Sequence, residues 1–343
     1  MRCHLIVPDL ILPGEYSSEA CAGLSLPALE TFLGKGDTRS APAEGYEAWL
    51  CEVHGIQKQQ DWPLAPVTQM ADGGIVGDDY WLRADTVHLR VDRDRLVLAD
   101  SSAFELSQAE ANELTGTLNA HFIADGVVFY PFRPDRWYVR QALPPKLQTT
   151  SLCDAVGKNI DTLLPRGVDG RRFVGMCNEV QMLLSSHPLN EAREAAGDLA
   201  VNSVWFWGGG KLPDAVRQPF SQVWASEHVA YSLGLASGAP TSALPESGIA
   251  WLALPACAGE GAVVLGQLRT AAKYGDTYRW REILMQLEHG WFVPLLAALR
   301  PKRLERLTIT AFGAGRRHSA TIRPGDLWKF WRRGAPLSAL ASA

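Results

Sequence analysis

The sequence predicts an α/β protein, with a mostly parallel sheet covered by helices on both faces and an inserted β-β-α-β-β subdomain. Three observations carry this. In the second half of the chain, strand-like apolar runs alternate with helical patterns, as in parallel sheets joined by crossover helices. Within residues 80–141, two hairpins flank one capped helix. The 343 residues, 47% hydrophobic and 20% charged, suffice to bury a sizeable core in one large domain or two ordinary ones.

Residues 4–12 form an apolar run interrupted by Pro8. A buried strand ending near Asp9 suits it, because proline cannot donate to a central ladder. Leu26, Leu29, Phe32 and Leu33 stand at helical spacing before Gly34, which predicts a helix. Residues 37–79 are rich in Gly, Pro, Gln and Asp and yield only a short helix at 46–53. Residues 86–91 and 96–98 flank Asp92-Arg93-Asp94-Arg95 and read as a hairpin. Ser107-Gln108-Ala109-Glu110 has the form of a capping box, opening an amphipathic helix to about Ile123. A second hairpin joins 127–132 to 136–140 through Arg133-Pro134-Asp135, and Pro144-Pro145 marks the exit. Beyond it we expect a helix at 174–186, a strand at 203–207, a helix at 222–235 and a strand at 249–254. A long helix at 278–299, interrupted at Pro294, and an edge hairpin of 307–310 and 320–322 around Gly313-Ala314-Gly315 complete the pattern. The expected domains are a core of 1–65 with 150–343 and an insert of 66–149.

No apolar run approaches the roughly 18 to 20 residues that span a bilayer, and the start reaches Pro8 and Asp9 too soon for a signal-peptide core. The expectation is a cytoplasmic protein with no membrane partner. Cys3, Cys21, Cys51, Cys153, Cys177 and Cys257 make no C-x-x-C pair and read as small hydrophobes rather than a zinc site. The net charge of −4 hides a basic end: between Arg300 and Arg333, ten Lys and Arg face two acids, Glu305 and Asp326. Trp328-Lys329-Phe330-Trp331-Arg332-Arg333 could touch nucleic acid or an acidic partner. The favoured expectation is a C-terminal helix whose rings pack inward while its bases stay solvated.

Candidate functional residues concentrate in one block. His187, Asn190 and Arg193 fall at irregular spacing, as loop-borne ligands do, and the run from Val201 ends in Gly208-Gly209-Gly210. His187 and Arg193 suit a phosphate or carboxylate; equally, His187 and Asn190 could tie down the turn before Gly197. Asn202 reads as a backbone clamp more than a ligand. Trp205 and Trp207 alternate with Phe206, so both faces of that strand are buried. The P-loop form fails, with Trp205 at the first Gly position and Leu212 at the Ser/Thr position. Gly208 and Gly210 could still offer backbone N–H groups to an anion.

The block from Cys177 to Gly210 resembles the archaeal-type cofactor-independent phosphoglycerate mutases. Their pattern, H-P-x-N-x-x-R, a Gly, then a-N-x-i-W-l-W-G-x-G, is met by His187, Pro188, Asn190, Arg193, Gly197, Asn202, Trp205, Trp207, Gly208 and Gly210. Residues 26–30 resemble the segment leading from the nucleophile into the first helix. Residues 79–141, with Arg83-Ala84-Asp85, resemble the inserted subdomain. The likeness is closer still to a bacterial branch of RpfE-type regulatory proteins, which shares the Trp-x-Trp-Gly-Gly-Gly stretch and the Trp-Arg-Arg ending. The resemblance implies an alkaline-phosphatase-like fold, two divalent metals and a Ser or Thr nucleophile.

The implied ligand positions depart from that pattern. Asp-Gly after the first strand is Asp9-Leu10, Asp-x-x-x-His falls on residues 254–260 without Asp or His, and Gly-Asp-His-Ser falls on residues 311–319. Asp9 alone survives as a metal-ligand remnant. Ser25 and Thr31 are the hydroxyls near the nucleophile's place, and neither has an identifiable base. Arg316, Arg317 and His318 stand where ligands should be and could hold an anion or form a solvated hairpin tip. The expected function is a non-catalytic regulatory or ligand-sensing protein with no cofactor, recognising an anionic small molecule or a protein partner. One alternative is a Mn- or Zn-dependent phosphomutase or phosphatase, with Asp154, Asp161, Asp169, Glu260, Asp276 or His289 converging on Asp9. A second is a regulator that contacts nucleic acid through the basic C-terminus, the less favoured partner.

Overall fold

The computed structural model describes residues 1–12, 14–92, 95–255, 258–313 and 315–341. The hairpin-turn residues Arg93 and Asp94, the tip residue Ala314, and Ala256 and Cys257 of the expected ligand segment lie outside the described residues. In chain order the strands are β1 (Arg2–Val7), β2 (Asp37–Pro42), β3 (Tyr80–Asp92), β4 (Arg95–Asp100), β5 (Val127–Arg133), β6 (Arg136–Gln141) and β7 (Ser203–Gly210), then β8 (Gln222–Ala225), β9 (Thr241–Ser242), β10 (Glu260–Val264), β11 (Arg306–Gly313) and β12 (Arg316–Ile322). They fall into two compact units, Met1–Gly55 with Val216–Ala343, and Ile56–Ala215.

The first unit holds a seven-stranded sheet of order β2-β12-β11-β1-β10-β8-β9. β1 lies at its centre, parallel to β10 and β11, with Ile6 opposite Val264 and Thr310. Cys3, Leu5, Ile6 and Val7 are buried, so β1 reads as a continuous apolar run because both faces are covered. On one face Leu5, Val7, Phe32, Trp224, Trp251, Trp280, Phe292 and Ile309 share a core. On the other, His4 packs against Trp49 and Phe220.

His4 Nε2 lies 2.8 Å from Thr310 Oγ1. Burial, helped by Arg306 and Arg317, pushes its pKa down from 6.5 to about 4. A histidine that resists protonation when folded lets the unfolded chain bind more protons. Stability is therefore whole above pH 6.5 and falls as the pH drops towards 4. We expect a loss on the order of 2 kcal/mol across that window, short of the full shift because the ring is not completely enclosed. Denaturant titrations at stepped pH should show this slope, and His4→Gln should flatten it.

Four expectations are corrected in this unit. The helix expected at 222–235 is β8 followed by a helix over His228–Ala236, which starts only where Glu227 caps it. The strand expected at 249–254 is a helix, Gly248–Ala253, capped by Ser247; a short apolar run does not distinguish the two by itself. The hairpin β11–β12 is not at the edge, because β2 pairs with β12. The long helix breaks before Pro294, as a π-turn at Glu288–Phe292 between Thr277–Leu287 and Val293–Leu299. Proline has no N–H to give back to the preceding turn, and a π-turn accommodates the mismatch.

In the second unit the sheet order is β4-β3-β6-β5, with β7 also paired to β3. The Ser107–Glu110 capping box is present in both directions, at 3.2 and 2.8 Å. β7 runs antiparallel to β3, with Asp85 opposite Trp205, so it does not belong to the parallel sheet. Its Phe206 packs with Phe129 and Phe173, while Leu64 of the helix Leu64–Ala71 approaches Gly208. Covering on both sides makes this strand read like one from a parallel sheet. The compact insert accordingly spans Ile56–Ala215, wider than the expected 66–149, with its boundaries set by this pairing. Among the described residues no helix is long and apolar enough to cross a membrane.

Candidate functional site

Open α/β sheets bind ligands beyond the carboxyl ends of their parallel strands. There, Asp9 follows β1, Glu227 follows β8 and Arg269 follows β10, while the helix Tyr46–Val53 brings Tyr46 and Glu47. Asp9 has a left-handed backbone, φ 58°, which Asp tolerates better than most residues. These side chains form one cluster around Arg269, which is 7% exposed. Asp9 Oδ2 lies 3.4 Å from Arg269 Nε and Glu227 Oε1 3.4 Å from Nη1, while Nη2 donates to Glu47. The guanidinium lies over the Tyr46 ring, 4.8 Å from its centroid. Tyr46 donates to Glu227 Oε2 at 3.0 Å, and burial, then Glu227, pushes its pKa well above the ordinary value. Glu227 also accepts from the backbone N–H groups of Val229 and Ala230 at 3.1 and 2.9 Å. One fixed positive charge is thus held among three carboxylates and a phenol.

The two divalent metals that the resemblance implies do not fit these residues. Asp9, Glu47 and Glu227 are already drawn onto one guanidinium. Among the described residues no group of three or more His, Cys, Asp or Glu is arranged to hold a metal. The space beyond β1 is filled as well: Leu10, Ile11 and Leu12 are buried, and Gly313 sits so close to the Ile11 carbonyl that no Cβ could fit there.

At the place of the nucleophile, Thr31 donates back to the Pro27 carbonyl at 2.6 Å within the helix Pro27–Lys35. The amino end of this helix, where an anion would bind, carries an internal one. Ala28 N and Leu29 N donate to the two carboxylate oxygens of buried Glu288 at 2.6 and 3.1 Å. Burial raises the Glu288 pKa and these two hydrogen bonds oppose it. Glu288→Ala should leave both N–H groups unsatisfied and cost about 2 kcal/mol in a denaturant titration. Glu288→Gln, which keeps one acceptor, should cost less.

The H-P-x-N-x-x-R block lies in the other unit, where its polar groups are spent on the protein itself. His187 caps the helix Pro188–Ala196, its Nδ1 accepting from Leu189 N, and its Nε2 is 3.0 Å from Thr117 Oγ1. Asn190 donates to the Leu184 and Val201 carbonyls and accepts from Val201 N, all at 2.8–2.9 Å. Arg193 donates to Leu199 O, Glu105 O and Glu110. Asn202 grips both backbone groups of Leu89, at 2.7 and 2.8 Å. Gly197 takes the left-handed conformation that ends the helix. Gly208 has φ 66°, and a side chain on Gly210 would strike Pro63. The block fastens one helix and one strand, and the glycines admit close neighbours.

Arg316, Arg317 and His318 lie on β12, in register with Gly313, Phe312 and Ala311 of β11 and flanked by β2. They are not a solvated tip. Arg316 Nε donates to Ser40 at 3.0 Å. His318 is buried, and burial, then Arg316, lowers its pKa.

Of the residues proposed to converge on Asp9, Glu260, Asp276, Asp154 and Asp169 have partners of their own. Glu260 faces Arg306 at the amino end of β10, Asp276 caps the helix Thr277–Leu287, and His289 is exposed. Asp154 accepts from Ser151, Asp161 follows the cap Asn159, and Asp169 accepts from Lys146 N. Sequence reasoning reached Asp9 but missed Tyr46, Glu47, Glu227, Arg269 and Glu288. Correct placement of β8 and β10 would have exposed Glu227, two residues beyond β8, and Arg269, five residues beyond β10, as charges at the carboxyl ends of parallel strands.

No protein-family model matches the chain. The chain resembles the archaeal-type phosphoglycerate mutases that do not need bisphosphoglycerate. It is 31% identical over 200 residues to a "Probable 2,3-bisphosphoglycerate-independent phosphoglycerate mutase" of Geobacter sulfurreducens, covering 56% of this chain and 46% of that one. It is 32% identical over 137 residues to the 2,3-bisphosphoglycerate-independent phosphoglycerate mutase of Methanosarcina mazei, covering 38% and 34% respectively. The match thus spans less than half the length of these relatives. The fold is similar to that of the PH0037 protein from Pyrococcus horikoshii, with a TM-score of 0.59 and 11% identity over 99% of this chain and 92% of that one.

Proposed function

We propose that this chain is a phosphoglycerate-mutase-like scaffold that has exchanged its two-metal centre for an internal guanidinium, and that it serves as a non-catalytic regulatory or ligand-sensing protein. The observation that carries this is Arg269 held among Asp9, Glu47 and Glu227. A guanidinium balances carboxylates as a metal does, but it stays protonated throughout the physiological range. It has no open coordination position with which to ionise a water or clamp a phosphoryl group. A regulatory role is what the sequence resemblance to RpfE-type proteins implies, and an anionic small molecule or a protein partner remains the expected ligand.

Elemental analysis tests the reading, on protein incubated with Mn²⁺ and Zn²⁺ and then desalted, alongside assays that interconvert 2- and 3-phosphoglycerate. Substoichiometric metal without interconversion is the expected result. Near two equivalents of retained metal with mutase activity would overturn it.

A further inference from the structure

The basic C-terminal segment does not form the expected helix with inward rings. A 3₁₀ turn covers Pro324–Trp328, and among the described residues the next helix is Ser338–Ala341. Trp328, Phe330 and Trp331 are 83%, 87% and 67% exposed. Their backbone is nevertheless tied down. Lys35 Nζ donates to Leu327 O at 2.8 Å, Arg332 donates to Gly36 O at 3.1 Å, and Ala335 N donates to Glu30 O at 3.0 Å. Lys329 pairs with Asp326 at 2.6 Å, and that carboxylate also accepts from Arg323 N. Gly34 lies under the Arg333 carbonyl so closely that no side chain would fit. Three large rings on a pinned backbone form an apolar patch that solvent alone does not favour.

Beside the rings is a cavity of about 710 Å³, walled by Trp328 and lined by Lys35, Arg300 and Lys302. Exposed Arg333 continues the positive surface along the segment, while Arg332 is paired with Asp37 at 3.4 Å. From this juxtaposition we propose that the segment binds single-stranded nucleic acid. Phosphates would be taken by the cavity cations, and bases would stack on Trp328, Phe330 and Trp331. Exposed rings alternating with cations on a rigid support are what a sequence-tolerant strand binder needs. Lys329 and Arg332 already have the partners Asp326 and Asp37, but a purely apolar partner would leave Arg300 and Lys302 beside Trp328 unmatched. A bilayer would place rings deeper than charges, whereas here Lys35, Arg300 and Lys302 line a recess beside Trp328 that a flexible phosphodiester chain can enter.

The test uses the full chain and fluorescently labelled single-stranded DNA and RNA of about a dozen nucleotides, with anisotropy read at stepped salt. Binding that weakens steeply with salt is expected, as is a loss of roughly tenfold for each of Trp328→Ala and Trp331→Ala. Arg300→Glu with Lys302→Glu should abolish it. These residues lie on the surface, so an unchanged Tm should accompany each loss. No binding at low salt overturns the proposal, as does binding that ignores the Trp substitutions. It also fails if mononucleotides compete as well as the oligomer does, or if vesicles containing phosphatidylserine are bound while oligonucleotides are not.

Discussion

Arg269→Ala should destabilise the protein by about 3–5 kcal/mol, because it leaves Glu47 and Glu227 as buried carboxylates without their cation. It should also create a property that the unaltered chain lacks. Three carboxylates from three elements would then face the space vacated by one guanidinium; they are not arranged to hold a metal where they stand, and closing on the vacated space would bring them onto a hard divalent cation. Millimolar Mn²⁺ or Ca²⁺ should restore part of the lost stability, with a Tm that rises with metal concentration, because a ligand bound only by the folded state stabilises by mass action. The unaltered protein should show no such rise. Arg269→Lys should fall between them, since an ammonium supplies the charge but not the planar fork that reaches Asp9, Glu47 and Glu227 together. Thermal scans of the three proteins with and without metal decide the matter. A variant that loses no stability, or gains none from metal, would show that the carboxylates do not depend on this cation.

Local chemistry was legible in the sequence wherever a signal sits within a few residues. The Ser107–Glu110 box and the hairpins of β3–β4 and β5–β6 lie where their cap and turn residues predict, and the short helix at Tyr46–Val53 lies where it is expected. What failed was long-range. β2, Asp-Thr-Arg-Ser-Ala-Pro, is an edge strand that is largely exposed, so it carries no apolar alternation. β7 was recognised as a strand, but its partner β3 lies over a hundred residues away, and no local pattern specifies that pairing. The same blindness hid the site. Asp9 could be read because β1 was, whereas Glu227 and Arg269 follow strands that were misassigned or unseen. The conspicuous H-P-x-N-x-x-R block looked like a ligand set because hydrogen-bonding side chains that hold a fold together and those that hold a ligand are the same residues.

The largest effect in the other unit should come from Asp85→Ala. Asp85 Oδ1 accepts from Arg83 Nε at 3.0 Å and Nη2 at 2.6 Å, and Oδ2 accepts from Trp207 Nε1 at 2.6 Å. The guanidinium lies over the rings of Tyr138 and Trp207, at 5.1 and 5.2 Å from their centroids. Both members of the ion pair are buried. Removing the carboxylate leaves a guanidinium in the core without its closest counter-charge and a Trp N–H without an acceptor, a change that costs about 3–5 kcal/mol. The pair itself need not be worth that much, because desolvation offsets most of its attraction. The double variant Arg83→Met with Asp85→Asn, which removes both charges, keeps the volume and leaves an acceptor for Trp207 Nε1, should therefore lie within about 1.5 kcal/mol of the unaltered chain. A double-mutant cycle by denaturant titration separates the two effects. A double variant as unstable as Asp85→Ala would mean that the pair contributes net stability beyond what packing can replace. Recovery in the double variant would show that packing can replace the pair, leaving the Asp85–Trp207 hydrogen bond, which crosses from β3 to β7 in one register, as what residue 85 contributes to their alignment.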